Sequence, residues 1–141
     1  MRATVSSAVN ILKIPSEICR EMLLHARAGA PLEICGILAG RGNTVERIYK
    51  GSNIEASEVS YELDPREYLR IEKEFRSEGM RMLAIYHSHP IGHARPSHKD
   101  ITLAVWDAVY IIIGLADRDN PDVKGFRING DEAREIKLRV I

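Results

Sequence analysis

The hydrophobic positions of this chain switch between the spacing of helices and the spacing of strands. Helices are predicted over residues 16–28, from residue 64 to about residue 78, and over 98–106. The second has a strong start at Asp64-Pro65-Arg66-Glu67, where an acceptor cap, a first-turn proline and a glutamate three residues after the cap coincide. A cap at Ser16 is predicted for the first. The apolar faces are predicted to be Ile18, Met22 and Ala26, then Tyr68, Ile71 and Phe75, then Ile101, Ala104 and Val105.

Strands are indicated by runs of apolar and β-branched residues between turn residues. They are predicted at 11–14, 33–39, 44–50, 81–86, 108–116, 123–128 and 135–141. The turns Gly40-Arg41-Gly42-Asn43 and Asn129-Gly130-Asp131 predict hairpins. The polar segment 53–62 is indistinct, with a short strand near 59–63. Helices mixed with mostly antiparallel strands predict an α+β fold or a three-layer αβα domain.

Composition and charge are those of an ordinary globular domain. The chain has 141 residues, 45% hydrophobic and 28% charged, and no linker divides it, so one domain over residues 1–141 is expected. Twenty basic and twenty acidic side chains cancel, which gives no reason to expect a nucleic-acid or membrane partner.

The location suggested by the sequence is the cytoplasm. Residues 1–14 lack the basic and apolar regions of a signal peptide, and the longest apolar run, 108–116, is shorter than the about 20 residues that span a bilayer. It is better explained as a buried central strand. Two cysteines, Cys19 and Cys35, are too few for a disulfide scaffold and favour a reducing compartment.

Candidate metal ligands follow the strand that ends near residue 86. His87 and His89 point to the same face of an extended segment, and Asp100 can supply a third ligand after a bend at Pro90, Gly92 and Pro96. Two imidazoles and a carboxylate suit zinc, with a fourth position left for water. Alternatively, the pair is a polar strand edge, and Ser97 and Asp100 form a helix capping box.

A second signal is an isolated acid in the apolar segment 31–40. Glu33 stands at the head of this segment, where a carboxylate buried without a partner is costly. The alternative is an ordinary glutamate at a strand edge, in contact with water. Beside a zinc-activated water, a glutamate has a defined task, since it can take the proton of that water and deliver it to a leaving amine.

Together these residues closely resemble the motif of the JAMM (MPN-plus) zinc metalloprotease family, small single-domain prokaryotic type. The matching residues are Glu33 in a Glu-x-x-Gly context, His87, Ser88, His89, Pro90, Ser97 and Asp100. The resemblance implies one zinc ion per chain, held by His87, His89 and Asp100, with Glu33 as general base and Ser97 stabilising the oxyanion. It also implies a curved, mostly antiparallel sheet between helices, reminiscent of cytidine deaminases.

The resemblance also suggests a substrate. Small family members of this type remove ubiquitin-like or sulfur-carrier proteins by cutting after a C-terminal diglycine, so an isopeptidase or C-terminal peptidase is implied. A flexible diglycine tail can thread a narrow groove or add as a strand beside a sheet edge. Segment 53–63 is predicted to be that edge or a flap, with a plain surface loop as the alternative. A homodimer or a larger complex stays open.

Several rival functions are open to the sequence. One is a noncatalytic MPN-type scaffold, although the intact ligand set speaks against it; another is a RadC-like protein associated with DNA repair. A zinc deaminase is disfavoured, because its His-x-Glu and Pro-Cys-x-x-Cys signatures are absent. A nucleophilic Cys35 is a formal alternative. His93, His98 and Arg95 could serve the site or simply face solvent.

Overall fold

The computed structural model describes residues 10–141, so most of the region examined for a signal peptide, residues 1–9, lies outside it. Three helices and seven strands are present in the described part. The helices are α1 (Ser16–Gly29), α2 (Pro65–Ser77) and α3 (His98–Thr102). The strands are β1 (Ile11–Ile14), β2 (Cys35–Arg41), β3 (Thr44–Gly51), β4 (Arg81–His89), β5 (Val109–Gly114), β6 (Asp122–Asn129) and β7 (Glu132–Val140).

The strands form one sheet that closes on itself in the order β1-β3-β2-β4-β5-β6-β7. Strand β2 pairs antiparallel with β3 and β4, and β6 pairs antiparallel with β5 and β7. The pairings β1–β3, β1–β7 and β4–β5 are parallel. The predicted α+β class with a curved, mostly antiparallel sheet is confirmed. The sheet is curved enough to close into a barrel.

Helices cover both faces of the sheet. Met22 and Ala26 of α1 lie in one apolar cluster with Leu38 of β2, whereas Phe75 of α2 lies in a second cluster with Ile37. Successive strand residues point to opposite faces, so α1 and α2 sit on opposite sides of β2. Strand β5 is buried throughout, as predicted for a central strand.

Two helix starts differ in how they are capped. Asp64 caps α2 as predicted, since its side chain accepts the N–H of Arg66. Glu67 completes no capping box there, because its carboxylate accepts hydrogen bonds from the N–H and hydroxyl of Ser52. Helix α1 follows Pro15 with no side-chain cap, so the predicted cap at Ser16 is wrong.

Helix α3 is shorter than predicted. It ends at Thr102, and Val105 is 80% exposed rather than buried. The reason lies just beyond the helix: the N–H groups of Val105 and Trp106 donate to the Tyr110 hydroxyl at 3.0 and 2.8 Å. These donors are therefore satisfied outside a helix.

Smaller differences concern strand ends. Strand β2 begins at Cys35, so Glu33 precedes it, and the hairpin turn shortens to Gly42-Asn43, where Gly42 has a φ of 61°. The short strand predicted near 59–63 is reduced to an isolated bridge between Asn53 and Leu63. Within residues 10–141, no helix combines the length and apolar character needed to cross a bilayer.

Candidate metal centre

Strand β4 and helix α3 bring three candidate ligands together. His87 and His89 share one face of β4, and their Nε2 atoms are 3.2 Å apart. Asp100 on α3 places Oδ1 3.1 Å from Nε2 of His87 and Oδ2 3.0 Å from Nε2 of His89. The predicted convergence of these residues is therefore present, with one ligand atom from each lying within 4.8 Å of the others.

The spacing of these donors fits a zinc ion. Tetrahedral ligands about 2.0–2.1 Å from zinc lie about 3.3 Å from one another. The three donor pairs, at 3.0–3.2 Å, have almost this separation before any ion is considered. Three protein donors leave a fourth position open, which is typical of a catalytic zinc site.

The loop after β4 orients His89. Its Nδ1 lies 2.9 Å from the carbonyl oxygen of His93, which can only accept, so Nδ1 carries a proton and Nε2 is the ring nitrogen that a metal would bind once it is deprotonated. The loop is itself anchored, because the N–H of Ala94 donates to Asp122 at 2.9 Å. Gly114 packs against this loop, since a Cβ added at Gly114 would lie 2.5 Å from the Ala94 nitrogen.

The capping box predicted at the start of α3 is present and also orients Asp100. Ser97 Oγ accepts the N–H of Asp100 at 3.0 Å, and Asp100 Oδ2 accepts the N–H of Ser97 at 2.9 Å. Burial would raise the pKa of Asp100, but hydrogen bonds from His87 and His89 outweigh it and hold that pKa well below its usual range. Asp100 is therefore an ionised carboxylate that can ligate a metal. The capping-box and metal-ligand interpretations of this turn are compatible.

His87 is enclosed by protein. Its ring is fully buried and stacks on Tyr61 with centroids 4.4 Å apart and planes inclined by 21°. Burial lowers the pKa of His87, which keeps the imidazole neutral and able to bind a metal. For His89, burial lowers the pKa, but hydrogen bonds with Asp100 and the His93 carbonyl outweigh it and leave the pKa raised.

Glu33 is buried beside these ligands. The residue is only 4% exposed, and its Oε1 has no hydrogen-bond partner among the described residues. Burial raises its pKa to about 7, with the charge of His89 lowering it and that of Asp100 raising it. The solvated strand-edge alternative is therefore wrong, and this carboxylate can exchange a proton near neutral pH.

Ser88 joins the Glu33 segment to the ligand strand. The N–H of Ile34 donates to the buried Ser88 hydroxyl at 2.9 Å, and the N–H of Ser88 donates to the Ile34 carbonyl at 3.1 Å. Ser88 lies between His87 and His89 and points away from them. Because side chains alternate along a strand, the Ser88 side chain lies on the face opposite to the two histidines. There it holds Ile34, the residue after Glu33.

A groove of about 620 Å³ opens next to Asp100. Tyr68 of α2 and Trp106 approach each other along it, with ring centroids 4.6 Å apart. This surface could not be predicted from the sequence, where only apolar side chains were visible, because its walls come from distant segments. They are lined mainly by Tyr61, Leu63, Tyr68, Leu103, Trp106 and Tyr110.

The remaining sequence candidates lie outside the three-residue ligand group. His93 and Arg95 are exposed, as is His98, and the His93 ring lies 3.7 Å from the Asp122 carboxylate. Cys35 is buried, and burial together with the charges of Glu67 and Glu33 raises its pKa to about 12. A thiol with this pKa is not an activated nucleophile, so the cysteine-hydrolase alternative is not supported.

Sequence comparison places the chain in a known family. A family model described as prokaryotic homologs of the JAB domain matches residues 15–129. The chain is 40% identical over 132 residues to a probable TtuB-protein conjugate cleaving protease of Thermus thermophilus, covering 93% of this chain and 84% of the relative. It is 36% identical to a desampylase of Haloferax volcanii, covering 92% and 96% of the two chains.

Solved structures share the fold. Protein DSY2949 of Desulfitobacterium hafniense matches with a TM-score of 0.85 and 39% identity, covering 93% of this chain and 92% of that one. A structure described as a JAMM metalloprotease-like zinc site in the proteasome and signalosome matches with a TM-score of 0.61 and 19% identity, covering 93% and 98%. That second match supports the fold alone.

Fold and relatives together define a hydrolase of the JAMM metalloprotease class. The chain belongs to the family of prokaryotic JAB-domain proteins. Among the rivals considered from sequence, the noncatalytic scaffold and the RadC-like protein are both less consistent with peptidase relatives that match over nearly the whole chain.

Proposed function

We propose that this protein is a zinc-dependent peptidase that hydrolyses the peptide or isopeptide bond after the C-terminal diglycine of a ubiquitin-like or sulfur-carrier protein. The observation that carries the proposal is the buried Glu33 carboxylate, unpartnered at Oε1, beside a converging His87, His89 and Asp100. A structural zinc site needs no such base. A hydrolytic one does.

Each residue of the site has a defined role in the proposal. His87, His89 and Asp100 hold one zinc ion, which when bound supplies a Lewis acid that lowers the pKa of water. Glu33 takes a proton from the attacking water and delivers it to the leaving amine, as its pKa of about 7 allows. The Ser97 hydroxyl accepts the Asp100 N–H and keeps its own proton to donate to the oxyanion.

The groove supports a peptide tail as the substrate element. It runs from Asp100 along the contacting rings of Tyr68 and Trp106, which can contact the residues that precede a diglycine. Glycine has no side chain, so a diglycine can pass the enclosed end near His87 and Tyr61. Since strands β1–β7 close on one another, an added strand would pair with segment 53–63.

The relatives support the same substrate class. The Thermus thermophilus relative is described as cleaving conjugates of TtuB with proteins, and the Haloferax volcanii relative as a desampylase. By similarity we assign a protein conjugate to this chain as well. Its cysteines, Cys19 and Cys35, are both free thiols, which suits the reducing cytoplasm.

The experiment that tests the proposal uses zinc-loaded protein and a ubiquitin-like protein fused through its diglycine to a reporter. One fusion is linear and the other is joined through a lysine side chain. Cleavage after the diglycine is expected, with loss of activity in chelator and recovery when zinc is restored. Cleavage that is insensitive to chelator, or full activity with stoichiometric zinc in His89→Ala, would overturn the proposal.

A further inference from the structure

One side chain makes four hydrogen bonds in the segment between β3 and α2. We call this segment, residues 52–64, the flap. Asn53 uses all four hydrogen-bonding positions of its amide, and a primary amide has two donors and two lone pairs to offer. Its Oδ1 accepts the N–H groups of Glu55 and Glu62, both at 3.0 Å, and its Nδ2 donates to the carbonyl oxygens of Glu33 at 3.1 Å and Ser60 at 3.0 Å.

Both main-chain groups of Glu33 are bound to the flap. Its carbonyl oxygen accepts from Asn53, and its N–H donates to the carbonyl oxygen of Ser57 at 2.9 Å. The sheet ladder of β2 begins only at Cys35, so Glu33 lies outside it. Ser88 holds the next residue, Ile34, but the hydrogen bonds of the Glu33 main chain itself are made to the flap.

The flap also reaches the metal ligands. Tyr61 stacks on the ring of His87, and Glu55 lies 3.7 Å from the ammonium of Lys99 on α3. The ion pair is exposed and contributes little by itself. The ring contact is enclosed, so a displaced flap would disturb the base and one ligand together.

We propose that Asn53 is a positioning residue for hydrolysis, which fixes the main chain of Glu33 and the closed flap so that the Glu33 carboxylate faces the substrate. This rests on the proposed function of Glu33. Oε1 of Glu33 has no hydrogen-bond partner in the described chain. No bond at that oxygen aims it, so its direction follows from the backbone that Asn53 holds.

Two variants distinguish the role of the Asn53 Nδ2–H donors from that of its Oδ1 acceptor. Asn53→Ala removes all four bonds, whereas Asn53→Asp keeps an acceptor and removes both N–H donors, including the one to Glu33. Asn43→Ala is the matched control, because Asn43 also donates Nδ2 to a main-chain carbonyl, that of Ile11 at 3.2 Å, in the β2–β3 turn. Each variant is tested for zinc content, kcat and KM with the diglycine fusion.

The expected result is a loss in kcat of about tenfold to a hundredfold in both Asn53 variants, because small displacements of a reacting group have effects of this size. KM and zinc content should stay near the wild-type values, and Asn43→Ala should keep its kcat. A wild-type kcat in Asn53→Asp would overturn the proposal, since the donor to Glu33 would then be dispensable. A parallel loss of zinc and kcat would also overturn it, because Asn53 would then be merely structural.

A readout independent of activity separates this inference from the proposed function. Hydrogen exchange at the Glu33 amide, which is bonded to Ser57, should accelerate at least about tenfold in Asn53→Ala and not in Asn43→Ala. If wild-type protein cleaves no diglycine fusion, the proposed function fails. This exchange result still tests whether Asn53 holds the Glu33 main chain. Unchanged exchange at Glu33 would overturn the role of Asn53 even in an active enzyme.

Discussion

His89 donates its Nδ1–H to the main-chain carbonyl oxygen of His93, 2.9 Å away, across the loop that follows β4. When a histidine held in this way is neutral, the lone pair is on Nε2, and partners of this kind tune metal affinity. The group that accepts this hydrogen bond is the main-chain carbonyl of an exposed residue, so its position depends on how the loop is anchored. The anchor nearest to His93 is the hydrogen bond from the Ala94 N–H to Asp122, and a second joins the Ala116 N–H to the Gly92 carbonyl oxygen.

Asp122→Ala is therefore expected to weaken zinc binding although Asp122 is no ligand. Loss of such an outer partner lowers metal affinity by about tenfold to a hundredfold. Competition with a chromophoric chelator measures this affinity directly. Asp117→Ala, which removes the exposed cap of a neighbouring turn at Asn120, is the control. Equal zinc affinity in the two variants would contradict the coupling.

Glu33→Gln is expected to lower kcat by about a hundredfold to ten-thousandfold while zinc stays bound, because general-base catalysis contributes rate factors of this size. Gln has nearly the same shape as Glu but cannot take up a proton. Metal analysis with single-turnover kinetics checks both parts. A wild-type rate in this variant would remove Glu33 from the role of base.

The same variant should make zinc-free protein more stable at alkaline pH. Folding raises the pKa of Glu33 from 4.5 to about 7, so its stabilising protonation is complete below pH 4.5 and is lost as the pH rises through 7. Gln stays neutral throughout. We expect Glu33→Gln to gain about 1–2 kcal/mol over wild type between pH 5 and pH 8. Thermal unfolding at the two pH values measures the gain, and a constant difference would contradict the raised pKa.

Zinc affinity should fall steeply as the solution is acidified. Hydrogen bonds with Asp100 and His93 outweigh burial and raise the pKa of His89, so protons compete for its Nε2 at higher pH than for an ordinary histidine. Titration of zinc at pH 7.5, 6.5 and 5.5 tests this, with each pH value chosen around the ordinary histidine pKa of about 6.5. An affinity independent of pH over this range would argue against His89 as a ligand.

Trp106→Ala should raise KM for the diglycine fusion by about fivefold to twentyfold with little change in kcat, because it removes an apolar wall remote from the reacting atoms. Trp106 lines the groove and contacts Tyr68. Leu24→Ala, at an exposed position of α1, is the control. A loss confined to kcat would show that Trp106 does not bind the tail.

Much of the centre could be predicted because its information is local in the chain. Strand alternation places His87 and His89 on one face, and the capping box between Ser97 and Asp100 forms within a single turn. The cap of α2 at Asp64 is equally local. Short-range geometry of this kind needs no knowledge of distant contacts.

Features that depend on distant contacts could not be predicted in this way. Glu67 accepts hydrogen bonds from Ser52, 15 residues earlier, instead of completing a capping box. The hydrogen bond from Asn53 to the Glu33 carbonyl oxygen joins residues 20 positions apart, and the bond from Ala94 to Asp122 joins residues 28 positions apart. Hydrogen-bonding groups find these partners only once the sheet has closed.

The sequence by itself predicted the convergence of His87, His89 and Asp100, the strand and the helix start that carry them, and the chemistry proposed for them with a glutamate. Tertiary structure decided that Glu33 is buried with a raised pKa, that Asn53 holds its main chain, and that an aromatic groove leads to Asp100. The physical reason is that periodicity and capping act over a few residues. Desolvation and groove shape arise only from the packing of segments far apart in the chain.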